Sequence, residues 1–191
     1  MILDKLSFKT TLGKSLKNTL RKFNKNELIN DLENYIDFLN DNVDLLQNYN
    51  YRIKSLQSIL LKYDKYYPSK EVYGCFNDIL GIRVIVDSYN NINFDSELVR
   101  CVDMTKGKSN DDGYRGYHIY YRRSNYHYPI EIQFFTNKDF KFNIWLHTYV
   151  YKYKDNDIGV KLRKMYDSDK INDKKDFERC LEYVLFNSKR F

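Results

Sequence analysis

The sequence predicts an α+β domain, a mixed sheet of about five strands flanked by helices. Three observations carry this. The β-branched apolar run "GIRVIVDSY", beginning at Gly81, reads as a central strand buried on both faces. Two later runs, "YHIYYRRS" and "YPIEIQFFT", read as a pair of strands joined across a short "NYH" connection. Apolar residues recur at helical spacing both before and after these strands.

In chain order, Leu12, Leu16, Leu20 and Phe23 predict a first amphipathic helix, with Lys14, Lys17, Arg21 and Lys25 on another side. Lys5 to Asn26 holds seven basic residues and no acid, whereas Glu27 to Tyr51 holds six acids and no base. The basic face is either a polyanion-binding surface or a solvated one. Leu28, Leu32, Tyr35, Ile36, Leu39, Val43 and Leu46 mark a second helix, which is acidic. A third starts at Ser55 as N-cap, carries Leu56, Ile59, Leu60 and Tyr63, and stops before Pro68. Residues 97–105 are a strand or a helix-to-strand segment, and helices are expected over 137–154 and 174–188.

Composition narrows the function classes. A hydrophobic share of 42% with 30% charged residues describes a soluble globular chain, and no apolar run reaches the roughly 20 residues of a membrane span. The opening "MILDKLSFKT" lacks a signal-peptide apolar region, and Cys75, Cys101 and Cys180 have neither disulfide-framework nor zinc spacing. A cytoplasmic protein with reduced thiols is expected. The 19 tyrosines suit cores and base-stacking surfaces alike. "GKS" occurs at Gly13 and Gly107, but Phe8 and Val102 stand where a P-loop needs its first glycine. "DND" (155–157) and "DSD" (167–169) read as solvated loops rather than metal pairs.

Four segments carry chemistry. In "YRIKSLQS", Arg52 and Lys54 enter the third helix beside Ser55 and Ser58, a cationic grip for phosphates at a helix N-terminus. In "DILGIR", Asp78 precedes the strand and Gly81 permits close approach, so the carboxylate is either an Mg²⁺ ligand at the sheet edge or a turn acid paired with Arg83. In "KGKSNDDGYRGYH", Lys106 and Lys108 can meet phosphates, Tyr114 can stack on a base, and His118 opens the next strand; the plainer reading is a hairpin entry whose aromatics pack inward. In "EIQFF", alternation sets Glu131, Gln133 and Phe135 on one face and Ile130, Ile132 and Phe134 on the other. That is an ordinary half-exposed strand, and also a rigid mount for a catalytic carboxylate.

In this order the segments resemble the synthetase domain of RelA/SpoT enzymes. The family pattern R-x-K-x-x-x-S is matched by Arg52, Lys54 and Ser58, D-x-x-G-x-R by Asp78, Gly81 and Arg83, G-Y-x-x-x-H by Gly113, Tyr114 and His118, and E-x-Q-x-R-T by Glu131, Gln133 and Thr136. "FNIWLHTYVYKYK" is similar to the closing helix, with Trp145 and His147 near the expected places. The resemblance covers about residues 50–154 and implies a nucleotidyltransferase-like synthetase fold. The whole chain then reads as one synthetase domain: N-terminal helices over 1–49, catalytic core over 50–154 and a C-terminal helical segment over 155–191.

The resemblance implies an ATP-dependent diphosphotransferase that moves the β,γ-pyrophosphate of ATP to a ribose 3′-hydroxyl with Mg²⁺. Arg52, Lys54, Ser58 and Arg83 would face ATP; Lys106, Lys108, Tyr114, His118 and Gln133 would face the acceptor. Asp78 and Glu131 would be the catalytic and metal-binding carboxylates. The usual acceptor is GDP or GTP, giving the alarmone ppGpp or pppGpp. The hydrolase His-Asp motif is absent, so the chain resembles the small alarmone synthetases. Two departures stand out. Phe135 replaces the arginine of E-x-Q-x-R-T, leaving Arg122, Arg123 or Lys138 as substitutes, and the loop carries Asp111 and Asp112. Both features also suit the toxic branch, which pyrophosphorylates the 3′-CCA end of tRNA. There the stripe Lys14, Lys17, Arg21 and Lys25 would bind the RNA backbone, and an antitoxin protein would be a partner. A degenerate, non-catalytic nucleotide- or RNA-binding module is the third reading.

Overall fold

A computed structural model of the protein describes residues 2–17 and 22–188. The sheet has five strands in the order β1-β2-β5-β4-β3: β1 (Asn50–Ile53), β2 (Leu80–Ile85), β3 (Val99–Asp103), β4 (Tyr117–Tyr121) and β5 (Ile130–Phe135). Strand β1 runs antiparallel to β2, with Arg52 opposite Gly81 and Asn50 opposite Arg83. The middle strand is therefore β5, not the "GIRVIVDSY" run. Only the first half of β2 is buried; Arg83 and Val84 are half-buried and Ile85 is exposed.

The helices are α1 (Ile2–Lys5), α2 (Lys25–Asp41), α3 (Leu56–Tyr66), α4 (Val72–Cys75), α5 (Asn137–Trp145), α6 (Asn156–Asp167) and α7 (Lys174–Ser188). Ser55 caps α3 by accepting from Ser58 N–H, and Thr136 caps α5 by accepting from Asp139 N–H. The helical path of α5 continues through a π-helical stretch, Leu146–Val150. Two expectations are corrected. Arg52 lies in strand β1 rather than in the entry to α3, and Lys54 follows that strand directly. The "DND" and "DSD" acids bracket a helix: Asp155 caps α6, Asp157 lies in its first turn and Asp167 ends it.

The chain divides into two compact units. The first takes in the residues up to Val84, with Asn93–Val102 and His118–Gln133; the second takes in Ile85–Ile92, Asp103–Tyr117 and the chain from Phe134 onward. In the first unit Leu28, Leu32, Tyr35 and Leu39 of α2 form one wholly buried face. Phe8, Tyr35 and Tyr128 stack on it with centroids 5.2 Å (Phe8–Tyr35) and 5.3 Å (Tyr35–Tyr128) apart. Asp31 is buried among them. Its Oδ2 accepts from the hydroxyls of Thr10 (2.6 Å) and Tyr128 (2.7 Å), and its Oδ1 from the Thr11 N–H (2.8 Å) and hydroxyl (2.7 Å).

This anchor explains why the described part of the first predicted helix, residues 12–17, is a loop. Thr10 N–H donates to the Tyr126 carbonyl and Leu16 N–H to that of Asn125, so the segment is tethered to the connection between β4 and β5. Lys9 bridges His127, and Gly13 sits at φ +65. Lys14 and Lys17 are consequently exposed on a loop, and Lys25 opens α2 and pairs with Asp64 at 2.8 Å. Arg21 lies outside the described residues. Lys14, Lys17 and Lys25 do not share a helical face. The same tether lengthens the β4–β5 connection to residues 122–129, well beyond "NYH".

The second unit packs Phe142, Trp145, Leu162, Tyr166 and Phe177 around a buried ion pair, Arg163 Nη1 to Asp139 Oδ1 at 2.6 Å. The hydroxyls of Tyr89 (2.7 Å) and Thr136 (2.8 Å) donate to Asp139 Oδ2. Cys75, Cys101 and Cys180 are free, and no helix among the described residues is long and apolar enough to cross a membrane.

Substituting Asp31→Asn puts an amide donor where four donors converge, and is expected to lower unfolding stability by about 3 kcal/mol, as loss of buried hydrogen bonds to a charged group does. Urea denaturation checks this; an unchanged midpoint would show that the N-terminal anchor contributes nothing.

Candidate active site

The first unit holds two carboxylates at the sheet. Glu131, on β5, is 5% exposed. Its Oε1 accepts from the Tyr120 hydroxyl at 3.0 Å and lies 3.1 Å from His118 Nδ1, both on β4. Its Oε2 accepts from Gln133 Nε2 at 2.9 Å. Gln133 in turn accepts from Arg83 Nε at 3.3 Å, so β2, β5 and β4 are laced across one face. A Cβ on Gly81 would stand 3.5 Å from Glu131 Oε2. Glycine there places the β2 backbone, without a side chain, beside that oxygen. The two-residue period of strands brings these groups together: 81 and 83, 131 and 133, 118 and 120.

Asp78 precedes β2 and sits in a clamp of cations. Lys54 Nζ contacts its Oδ2 and Lys62 Nζ its Oδ1, each at 2.8 Å, while Arg52 Nη2 lies 3.8 Å from Oδ2. Burial alone would raise the Asp78 pKa, but the charges and hydrogen bonds of Lys62 and Lys54 outweigh it and hold the pKa below the ordinary carboxylate value. Ser58 is one turn into α3, its Oγ 3.0 Å from Ser55 Oγ. Both carboxylates bear on Tyr120: burial first, then the charge and hydrogen bond of Glu131 and the charge of Asp78, push its hydroxyl pKa far up. A hydroxyl so held stays a donor.

Sequence reasoning missed Lys62 and Tyr120. Lys62 is four residues beyond Ser58 on α3, and Tyr120 two beyond His118 on β4, so helical and strand periods applied to the recognised residues point to both.

The "DDGYRGYH" loop belongs to the second unit up to Tyr117. Tyr114 is 7% exposed, with the Phe135 ring edge-on at 6.0 Å and the Lys108 ammonium 4.5 Å from its ring centroid. Both glycines answer to close packing. Gly113 sits at φ +86, where a Cβ would meet the Gly159 carbonyl oxygen of α6 at 2.4 Å; a Cβ on Gly116 would meet the Phe135 ring at 2.7 Å. Thus the aromatic packs inward, and a base reaching Tyr114 has to displace Lys108. The loop acids are neutralised locally: Arg115 forks onto Asp111 at 2.7 and 3.0 Å, and Lys108 pairs with Asp112 at 2.8 Å. The Arg115 hydrogen bonds, opposed by burial, hold the Asp111 pKa below its ordinary value. Lys106 is exposed, and His147 meets Tyr151 edge-on at 4.8 Å.

Phe135, in the place of the family arginine, is a core ring of the second unit, packed also on Phe140. Of its proposed substitutes, Lys138 lies over Tyr166 and Arg123 is exposed. Arg122 stacks on Tyr73 beside Tyr120.

Among the described residues no group of three or more His, Cys, Asp and Glu side chains could hold a metal ion. Magnesium, however, needs only one or two carboxylates when phosphates supply the remaining oxygens, and Asp78 offers hard oxygens of that kind, each held here by a lysine.

A buried carboxylate on β5 and a lysine-clamped aspartate just before β2 are groups of the kind that phosphoryl-transfer sites use. The family model described as "Region found in RelA / SpoT proteins" matches residues 51–156, more than half of the chain. The chain belongs to the RelA/SpoT family, and its enzyme class is pyrophosphotransferase. Among solved structures it is similar to small alarmone synthetase 1 from Bacillus subtilis bound to its product pppGpp, with 19% identity, 86% of this chain and 93% of that one covered, and a TM-score of 0.45. Small alarmone synthetase 2 from the same organism matches with 19% identity, 87% and 98% covered, and a TM-score of 0.47. A GTP pyrophosphokinase family protein from Streptococcus pneumoniae matches with 19% identity, 85% and 89% covered, and a TM-score of 0.40. No curated protein matches the chain at a significant level. Family membership rests on the match across residues 51–156.

Asp78→Asn leaves the nearly buried Lys54 ammonium without its charge partner, and is expected to lower stability at pH 7 by about 2 kcal/mol. The Asp78 pKa is depressed in the folded state, so its contribution is full above the unfolded value of about 3.9 and is lost as pH falls through the folded value. Stability curves of wild type and variant should therefore converge below about pH 4. A difference that persists unchanged at pH 2.5 would contradict the clamp.

Proposed function

We propose that the protein transfers the β,γ-pyrophosphate of ATP to the ribose 3′-hydroxyl of a guanine nucleotide, GDP or GTP, forming a (p)ppGpp-type alarmone. The observation that carries this reading is Glu131: a buried carboxylate on β5, fixed by Tyr120, His118 and Gln133 and facing a glycine, Gly81, on β2. A carboxylate held this way is positioned to accept the proton of a hydroxyl as that hydroxyl attacks phosphorus.

On the donor side, Lys54 and Lys62, with Arg52 nearby, supply positive charge for the triphosphate, while Asp78 keeps them in place before ATP arrives. A bound Mg²⁺ would rest on Asp78 and supply charge neutralisation for the phosphates; Arg83 orients Gln133, and through it Glu131. Attack of the 3′-oxygen on the β-phosphorus forms one P–O bond and breaks the bond from that phosphorus to the α,β-bridging oxygen. AMP leaves, and the hydroxyl proton passes to Glu131. The guanine-nucleotide reading is favoured over tRNA because the loop acids Asp111 and Asp112 are already neutralised by Arg115 and Lys108, and because Lys14, Lys17 and Lys25 do not share a helical face.

The test incubates the protein with γ-labelled ATP and Mg²⁺ and, separately, with GDP, GTP and deacylated tRNA. Label is expected on the guanine nucleotides, with AMP released, and Glu131→Gln should cut the rate at least 100-fold, the scale of a positioned general base. Label on tRNA alone would replace the acceptor assignment; transfer undiminished in Glu131→Gln would remove the carboxylate from the chemistry.

A further inference from the structure

At the β3–β4 side of the first unit a cavity of about 160 Å³ is lined by Lys17, Tyr73, Glu97, Arg100, Tyr120 and Arg122 among others. This is below the roughly 300 Å³ at which whole small-molecule sites begin, so it suits one polar group of a larger ligand. Two guanidinium groups are held at it by aromatic rings: Arg100 lies 4.8 Å from the Tyr120 centroid and Arg122 4.8 Å from that of Tyr73. A guanidinium held over a ring by cation–π attraction keeps N–H groups with which to donate.

Neither arginine forms an ion pair among the described residues. Nη1 of Arg122 is buried with no hydrogen-bond acceptor, a costly state for a charged donor. Glu97 also lines the cavity but pairs with neither. An anion with several acceptor oxygens relieves this deficit, and phosphate matches the guanidinium fork.

Sheet order says which substrate supplies it. The donor cluster, Lys54 and Lys62 on Asp78, lies at the β1–β2 edge; the arginine cavity lies at the β3–β4 edge; Glu131 is on β5 between them. Tyr120 joins the two regions, its ring under Arg100 and its hydroxyl on Glu131. We propose that Arg100 and Arg122 form a subsite for a phosphate group of the acceptor substrate, on the far side of Glu131 from ATP. This rests on the reading of Glu131 as the group that faces the acceptor hydroxyl. It also gives the acceptor a cationic contact that Lys108, engaged with Asp112 and Tyr114, does not offer.

The direct test titrates inorganic pyrophosphate calorimetrically, without ATP, into wild type, Lys54→Met and Arg100→Gln proteins. Arg100 is exposed, so its substitution spares the core, and thermal unfolding checks that it does. A binding event that survives Lys54→Met and weakens at least tenfold in Arg100→Gln is expected. Absence of binding to wild type, or equal binding by Arg100→Gln, overturns the subsite, whether or not the protein transfers pyrophosphate. Transfer assays then identify the source of the phosphate. A free nucleotide predicts that Arg100→Gln raises the KM for GDP at least fivefold with the KM for ATP unchanged; an RNA backbone predicts that increase for tRNA instead. Transfer with every acceptor KM unchanged also overturns it.

Discussion

Carboxylates taken out of water must be given donors, and this constraint organises the protein. Asp31, Glu131 and Asp139 are each buried, and each is held by hydroxyl, amide, imidazole or guanidinium groups from segments distant in sequence. Asp31 ties the N-terminal segment to α2 and to the approach of β5; Asp139 ties α5 to α6 and Tyr89. An unpaired buried charge costs several kcal/mol, so each of these acids specifies which elements meet around it. Glu131 differs in one respect: the Gly81 side of its carboxylate is left without a side chain.

The division of labour across the sheet follows from strand order. With β5 in the middle, a residue on it has neighbours on both sides, so Glu131 can take donors from β4 while facing Gly81 of β2. The cations group at the two edges. Those at the β1–β2 edge are quenched by Asp78 before substrate arrives, whereas Arg100 and Arg122 are covered by aromatic rings instead of carboxylates. In the proposed reading, triphosphate would exchange for Asp78 on the lysines, while an acceptor phosphate would enter a site already lacking its counter-charge.

Much of this was legible in the sequence wherever one period governed a segment. Alternation in "EIQFF" placed Glu131 and Gln133 together, and Ser55 marked the start of α3. Reading failed where tertiary contacts overrode local pattern. Leu12 and Leu16 are helically spaced, yet Asp31 and the carbonyls of Asn125 and Tyr126 hold residues 10–16 in a loop. Strand β1 is only four residues long, too short for a period to show, so Arg52 reads as the entry to the following helix. Helix α6 was hidden because its ends are acidic, although Ile158, Leu162 and Tyr166 fall four apart on its buried side. Missing α6 also hid the reason for Gly113, whose partner is the backbone of Gly159.

The central claim is that the two carboxylates serve different substrates. Calorimetric binding of a non-hydrolysable ATP analogue with Mg²⁺ to wild type, Glu131→Gln and Asp78→Asn tests it most directly. The account predicts that Glu131→Gln binds within about twofold of wild type, whereas Asp78→Asn, stripped of the group that positions Lys54 and Lys62, loses about tenfold or more, a difference of roughly 1.4 kcal/mol. Equal losses in both variants would mean that both carboxylates face ATP, and would contradict the assignment of Glu131 to the acceptor.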